Sequence, residues 1–92
     1  MSIWKFTIEI KNMQRIFMPR GAKILSVANQ NGNICLWAIV DRSAVVEERN
    51  FGVFGTGHNV GFLGKDEFLG TVFIEEFVWH VFEFKVFLPR SK

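Results

Sequence analysis

Apolar and polar residues alternate along most of this chain with the two-residue period of extended strands. Residues 3–10 set Trp4, Phe6, Ile8 and Ile10 on one side and Lys5, Thr7 and Glu9 on the other, the pattern of a half-buried strand. Lys11-Asn12 supplies a turn. Residues 13–18 repeat the alternation, with Ile16 and Met18 opposite Arg15 and Phe17, until Pro19-Arg20-Gly21 breaks it. Lys23–Gln30 reads as a third strand, with Leu25 and Val27 facing opposite to Ile24, Ser26 and Ala28. Asn31-Gly32 comes next, and an Asn-Gly pair between apolar runs marks a tight hairpin because both positions tolerate positive φ. Residues 34–40, with Cys35-Leu36-Trp37-Ala38-Ile39, are apolar on both faces. That strand is expected in the middle of the assembly, ended by Asp41-Arg42-Ser43.

Residues 47–55 make the fifth strand. Its apolar positions Phe51, Val53 and Phe54 slip by one, which implies a bulge at Gly52 or burial on both faces. Residues 56–65 read as a ten-residue loop with Gly57, Gly61 and Gly64; loops this long in a small domain are functional or mobile. Glu67–Ile74 is a sixth strand weakened by Gly70, and Glu75-Glu76 is a turn. Residues 77–88 form a long last strand. Val78, His80, Phe82, Phe84 and Val86 lie on one face and Phe77, Trp79, Val81 and Phe87 on the other, interrupted by Glu83 and Lys85. No segment has helical periodicity with caps. About seven short strands predict a single all-β domain over residues 1–92, a small antiparallel β-sandwich or rolled barrel.

Composition adds an interface. Eleven Phe and three Trp in 92 residues exceed what so small a core absorbs easily, and surplus apolar surface predicts association, first of all a two-fold homodimer. The single Cys35 has no intramolecular partner, and burial on both faces leaves its thiol inert. The N-terminus alternates where a secretory signal has a continuous apolar run. No stretch reaches the roughly 18–20 apolar residues of a spanning helix, so an intracellular chain with no membrane contact is expected. Net charge is +2, unevenly spread: residues 1–40 hold Lys5, Lys11, Arg15, Arg20 and Lys23 against Glu9 alone, whereas residues 41–84 hold eight acids against Arg42, Arg49 and Lys65. Either the surface is dipolar and suited to an acidic or head-to-tail partner, or two sheet faces are ordinarily solvated.

A longer set of motifs runs through the chain in fixed order. It comprises Ile3-Trp4-Lys5-Phe6, Met18-Pro19-Arg20-Gly21-Ala22-Lys23-Ile24-Leu25-Ser26-Val27, Gln30-Asn31-Gly32, Cys35-Leu36-Trp37-Ala38 and Val40-Asp41. It continues through Arg49, Phe51, Val53-Phe54-Gly55-Thr56-Gly57-His58, Leu69-Gly70-Thr71 and Val78-Trp79-His80-Val81-Phe82-Glu83. In these the chain resembles a small uncharacterised family of bacteriophage and prophage proteins. Residues 59–68 and 84–92 carry little of the likeness. The resemblance implies a viral or mobile-element origin and a small β-rich body; it implies no activity and no residue roles.

Candidate chemistry concentrates in Gly55-Thr56-Gly57-His58-Asn59. Successive glycines let backbone N–H groups converge on an anion, with Thr56 and His58 as added donors and Trp79 or Phe54 as a stacking surface for a base. The loop fails both phosphate fingerprints: Val60 stands where a dinucleotide motif needs its third Gly, and Asn59 and Asp66 stand where a Walker loop needs Gly and Ser or Thr. A structural turn is the competing reading. His58, His80 and Cys35 match no zinc spacing, and His80 shares an apolar face with Phe82 and Phe84, as a core or interface histidine bonded to a neighbour would.

Ser26, Ser43 and Cys35 lack an identifiable base and orienter. Glu47-Glu48 and Glu75-Glu76 read as edge and turn charges without the apolar pocket that raises a catalytic acid. The alternating aromatics fit core packing better than a nucleic-acid platform, and the net charge is small for a phosphate footprint. The expectation is therefore a non-enzymatic phage-type accessory protein, without cofactor or metal, that binds and blocks a host protein in the host cytoplasm as a counter-defence inhibitor. The alternatives are a sponge for a nucleotide second messenger, held by Gly55, Thr56, Gly57, His58, Asn59 and Trp79, and a virion or assembly component.

Overall fold

A computed structural model of the chain describes residues 1–60 and 66–85. Those residues form seven strands and no helix: β1 (Ser2–Ile8), β2 (Gln14–Pro19), β3 (Lys23–Gln30), β4 (Asn33–Val40), β5 (Val46–Gly55), β6 (Glu67–Ile74) and β7 (Phe77–Phe84). They build two antiparallel sheets, one ordered β1-β4-β3 and the other β2-β5-β7-β6. The all-β sandwich read from the alternation is the fold. Gly61, Gly64 and Lys65 of the expected loop, and the expected extension of the last strand through residue 88, lie outside the described residues.

The core is the space between the two inner faces. β4 supplies Ile34, Leu36, Ala38 and Val40 from the centre of its sheet, as its two-sided apolar sequence anticipates. Met18, Phe51, Val53, Val72 and Val81 meet them from the other sheet. The sheets close along one side, where β3 runs against β6. A Cβ on Gly70 would collide with Val27 Cγ2, and Asn29 Nδ2 donates to the Phe73 carbonyl at 3.0 Å. The same Asn29 accepts the Gly32 N–H through Oδ1 at 2.8 Å. This fixes a hairpin whose Asn31 (φ 56°) and Gly32 (φ 86°) both occupy the left-handed region.

Several expectations need correction. β1 stops at Ile8, because Gln14 folds back to bond both the N–H and the carbonyl of Glu9 (2.9 and 2.6 Å) and turns the chain there; Ile10 is left exposed. In β3 a register shift between Ile24 and Ser26 puts Ile24 and Val27 on the same inner face and leaves Leu25 exposed. In β5 the ladder runs unbroken through Gly52. Of the two readings offered there, burial on both faces is the one the strand adopts: Phe51, Val53 and Phe54 are all buried, and the Phe84 ring and the Asn12 carbonyl occupy the place of a Cβ at Gly52. The second shift falls in β6, between Phe68 and Gly70.

Charge is also arranged differently. β2 pairs with β5, so the basic first half and the acidic second half meet across one ladder, with Arg15 on Glu48 at 3.0 Å and Arg20 on Glu47 at 3.6 Å. Glu47 and Glu48 thus belong to an interior strand. Glu83 points inward with Val81 and is buried, where Arg49 forks onto it through Nε and Nη2 at 2.6 and 2.9 Å. Arg49 Nη1 donates to the Ala22 carbonyl at 2.5 Å, tying the start of β3 to the other sheet. The bond to Glu83, and then its charge, hold the guanidinium more firmly protonated against the opposing effect of burial. A planar bidentate fork is the geometry in which a buried pair satisfies its own lone pairs.

Candidate functional site

Gly55 ends β5 and starts a turn that the sequence determines tightly. The His58 N–H donates to the Gly55 carbonyl at 3.0 Å, and Gly57 takes φ +91°, the left-handed third position of a type II turn. The His58 side chain then folds back. Its Nδ1 accepts the Gly55 N–H at 3.2 Å, and its ring meets Trp79 edge-on, with centroids 6.5 Å apart at 70°. Gly55 and Trp79 are direct cross-strand partners. A Cβ at Gly55 would sit 3.1 Å from the His58 ring and 3.3 Å from Trp79, so the glycine makes room for both rings.

Thr56 goes the other way. Successive residues of a strand point to opposite faces, so Trp79 faces the interior side and His80 the outer side of the four-stranded sheet. Thr56 Oγ1 lies 2.8 Å from His80 Nε2, and Thr71 Oγ1, directly across the ladder, lies 3.1 Å from His80 Nδ1. Both imidazole nitrogens are therefore engaged by hydroxyls, whose donor and acceptor roles follow the ring's tautomer. Of the six residues singled out in the sequence, Gly55, His58 and Trp79 form one cluster, Gly57 supplies the turn geometry, and Thr56 leaves for a second cluster built on His80. Asn59 is exposed beyond the turn.

Sequence reasoning assigned His80 a bonded neighbour without finding the two threonines. The signal was present in Thr71, which lies opposite once β6 and β7 are aligned about Glu75-Glu76, where Glu75 has φ 54°.

The His80 cluster sits within an aromatic surface. On the same outer face, Phe68 pairs with Phe82 at a centroid distance of 5.4 Å, and Phe54 meets Phe82 and Phe84 edge-on at 6.0 and 6.3 Å. Phe54 is covered, at 5% exposure, whereas Phe68 and Phe73 stand 55% and 65% exposed on β6, on either side of Thr71. The face is an apolar plate with one hydrogen-bonded polar station at its centre. Among the described residues no Lys or Arg belongs to either cluster. The backbone N–H groups of Gly55, Thr56 and His58 are already bonded, to His58 Nδ1, the Val78 carbonyl (3.3 Å) and the Gly55 carbonyl. The loop therefore offers no converging set of free donors from these three residues.

At the opposite end of the sheet, a shallow hollow of about 500 Å³ is lined by Ala22, Glu47, Arg49, Glu83 and Lys85 among others. Its charges are mutually paired, with Lys85 Nζ 3.5 Å from both Glu67 and Glu83. Among the described residues no group of three or more His, Cys, Asp or Glu side chains is placed to hold a metal ion. Cys35 is buried on the outer face of the three-stranded sheet, beside the Thr7 hydroxyl at 3.8 Å.

Fold and site together define a small two-sheet β-sandwich with an aromatic outer face. Residues 1–90 match the family described as a domain of unknown function (DUF7352), and the chain belongs to that family. No curated protein and no solved structure matches it.

Proposed function

We propose that this protein is a non-catalytic binding module that docks on a protein partner through the outer face of β6 and β7. The phage-like resemblance supplies the setting: a counter-defence inhibitor that occludes a host protein in the host cytoplasm. The observation that carries the reading is the exposure of Phe68 and Phe73 around the hydrogen-bonded Thr56–His80–Thr71 station. Interfaces concentrate their energy in aromatic anchors, with charge depleted from the centre of the patch. Sheet-borne aromatics also lose little side-chain freedom on docking.

The nucleotide-sponge reading finds less support. A phosphate at the Gly55–Asn59 turn would compete for the N–H groups of Gly55, Thr56 and His58, which are already in use, and the turn holds no Lys or Arg. A base stacked on Trp79 would lie across the strand from Thr56 and His80. Catalysis by Thr56 has the outline of a hydroxyl beside an imidazole, but the N–H groups of Gly55, Thr56 and His58, which could stabilise an oxyanion, are engaged.

The test has two arms. Proteins retained from bacterial lysate by the wild-type chain are compared with those retained by a Phe68→Ser, Phe73→Ser variant of unchanged β-sheet circular dichroism. A partner that purifies, rebinds and is lost with the variant supports the reading; identical retention by both chains contradicts it. In the second arm a nucleotide panel is screened by thermal shift. A ligand at 100 times its Kd stabilises by about 2.7 kcal/mol, and such a shift abolished by His58→Ala would favour the sponge instead.

A further inference from the structure

Among the described residues the four-stranded sheet ends on β2, and the direction of that strand's backbone groups can be read from two hydrogen bonds and a proline. Arg20 N–H donates to the Val45 carbonyl at 2.7 Å, in the same register that aligns Gln14 with Phe51 and Pro19 with Val46. Antiparallel residues alternate between hydrogen-bonded and non-hydrogen-bonded pairs, so Met18, Ile16 and Gln14 bond to β5 while Pro19, Phe17 and Arg15 turn their backbone groups outward. Pro19 agrees, since proline within a sheet belongs where its missing N–H faces the edge. The Ala22 N–H agrees too, reaching the Pro19 carbonyl at 3.1 Å from the side away from β5. The open edge thus presents the N–H and carbonyl of Arg15 and of Phe17. Both side chains stand out on the outer face, Phe17 64% and the Arg15 side chain 65% exposed.

We propose that a second copy of this chain occupies this edge, with two β2 strands antiparallel about a two-fold axis at Ile16, joining two four-stranded sheets into one. The sequence Gln14-Arg15-Ile16-Phe17-Met18 is its own complement in that register. Arg15 of each copy lies opposite Phe17 of the other, and each such pair exchanges both backbone hydrogen bonds. On the outer face the Arg15 guanidinium, already held by Glu48 at 3.0 Å, comes over the Phe17 ring of the second copy as a cation–π contact. On the inner face Ile16 meets Ile16. The proline without an N–H falls outside the Arg15–Phe17 pairs, opposite Met13, and the exposed side chains of Met13 and Val46 lie there.

The other free edge, β1, does not fit. Its midpoint is Lys5, and a two-fold there sets ammonium against ammonium, the usual device for blocking edge pairing. The proposal is independent of what the β6–β7 face binds.

Light scattering at micromolar concentration and engineered crosslinking test it. The wild type is expected at twice the chain mass. Phe17→Pro removes an outward N–H and an exposed ring but no bond to β5, so a folded chain at single mass is expected. Ile16→Cys is expected to link to itself on oxidation, because a non-hydrogen-bonded pair sets Cα atoms about 4.5 Å apart, within the range a disulfide spans; the buried Cys35 makes the wild type the control. A monomeric wild type, a Phe17→Pro chain that folds and stays dimeric, or an Ile16→Cys chain that remains unlinked would each overturn it.

Discussion

The two ends of the four-stranded sheet treat polar groups in opposite ways. At one end Arg49 and Glu83 are taken into the interior, forked together and tied to β3 through Ala22. At the other, Thr56, His80 and Thr71 form a hydrogen-bonded network on the outer surface. The first arrangement holds the two sheets in register, with Arg49 shared between Glu83 and the Ala22 carbonyl and Lys85 Nζ also 3.5 Å from Glu83. The second stabilises little, since exposed hydrogen bonds exchange readily with water, yet it sits at the centre of the most exposed aromatics on that face. Burial commits a polar group to the fold; exposure among apolar side chains leaves it available to a partner.

Breaking the buried end should have the largest effect. Arg49→Ala leaves Glu83 in the interior with only Lys85 at 3.5 Å, and should lower the unfolding free energy by about 3 kcal/mol in a urea titration, the low end for a broken buried pair. Replacing both partners, Arg49→Met with Glu83→Leu, should restore most of that loss, because two apolar groups leave no stranded charge. Equal losses in the single and double variants would mean that the bond to Ala22, and not the charge pair, joins the sheets.

Next in size is Gly52→Ala, whose methyl would enter the space of the Phe84 ring and the Asn12 carbonyl. It should destabilise by about 1–3 kcal/mol, as overpacked cores do. His80→Ala should be milder, about 1 kcal/mol or less by thermal melting, while its effect on partner binding should exceed its effect on stability.

The smallest effect is a pH dependence at Asp41. The Ser43 hydroxyl donates to its carboxylate at 2.7 Å and the Ser43 N–H at 3.0 Å, and these bonds hold its pKa below the ordinary 3.8. A depressed folded value means that the contribution is complete above the unfolded value and disappears as pH falls through the lowered one. The melting difference between wild type and Asp41→Asn should therefore be constant near neutrality and shrink below about pH 3.8.

Much of the fold was readable because it depends on local period. Alternation located the strands, the two-sided apolar run of β4 placed it centrally, and Asn31-Gly32 fixed a hairpin. The bulges were not readable. Those in β3 and β6 flank the place where Val27 crosses Gly70 on the other sheet, a contact that no single strand encodes. Glu83 broke the pattern of β7 visibly, but its meaning depended on Arg49, 34 residues away. The Gly55–Asn59 turn was found and its glycines explained. Its division between Trp79 on one face and His80 on the other required the register of β5 on β7.

The central claim is that the outer face of β6 and β7 is a protein-docking surface. Isothermal titration of a captured partner against the wild type and against Phe68→Ala, Phe73→Ala tests it most directly. The claim predicts at least a tenfold weaker Kd for the variant, about 1.4 kcal/mol, with its unfolding transition retained. Equal affinities for the two chains would contradict it.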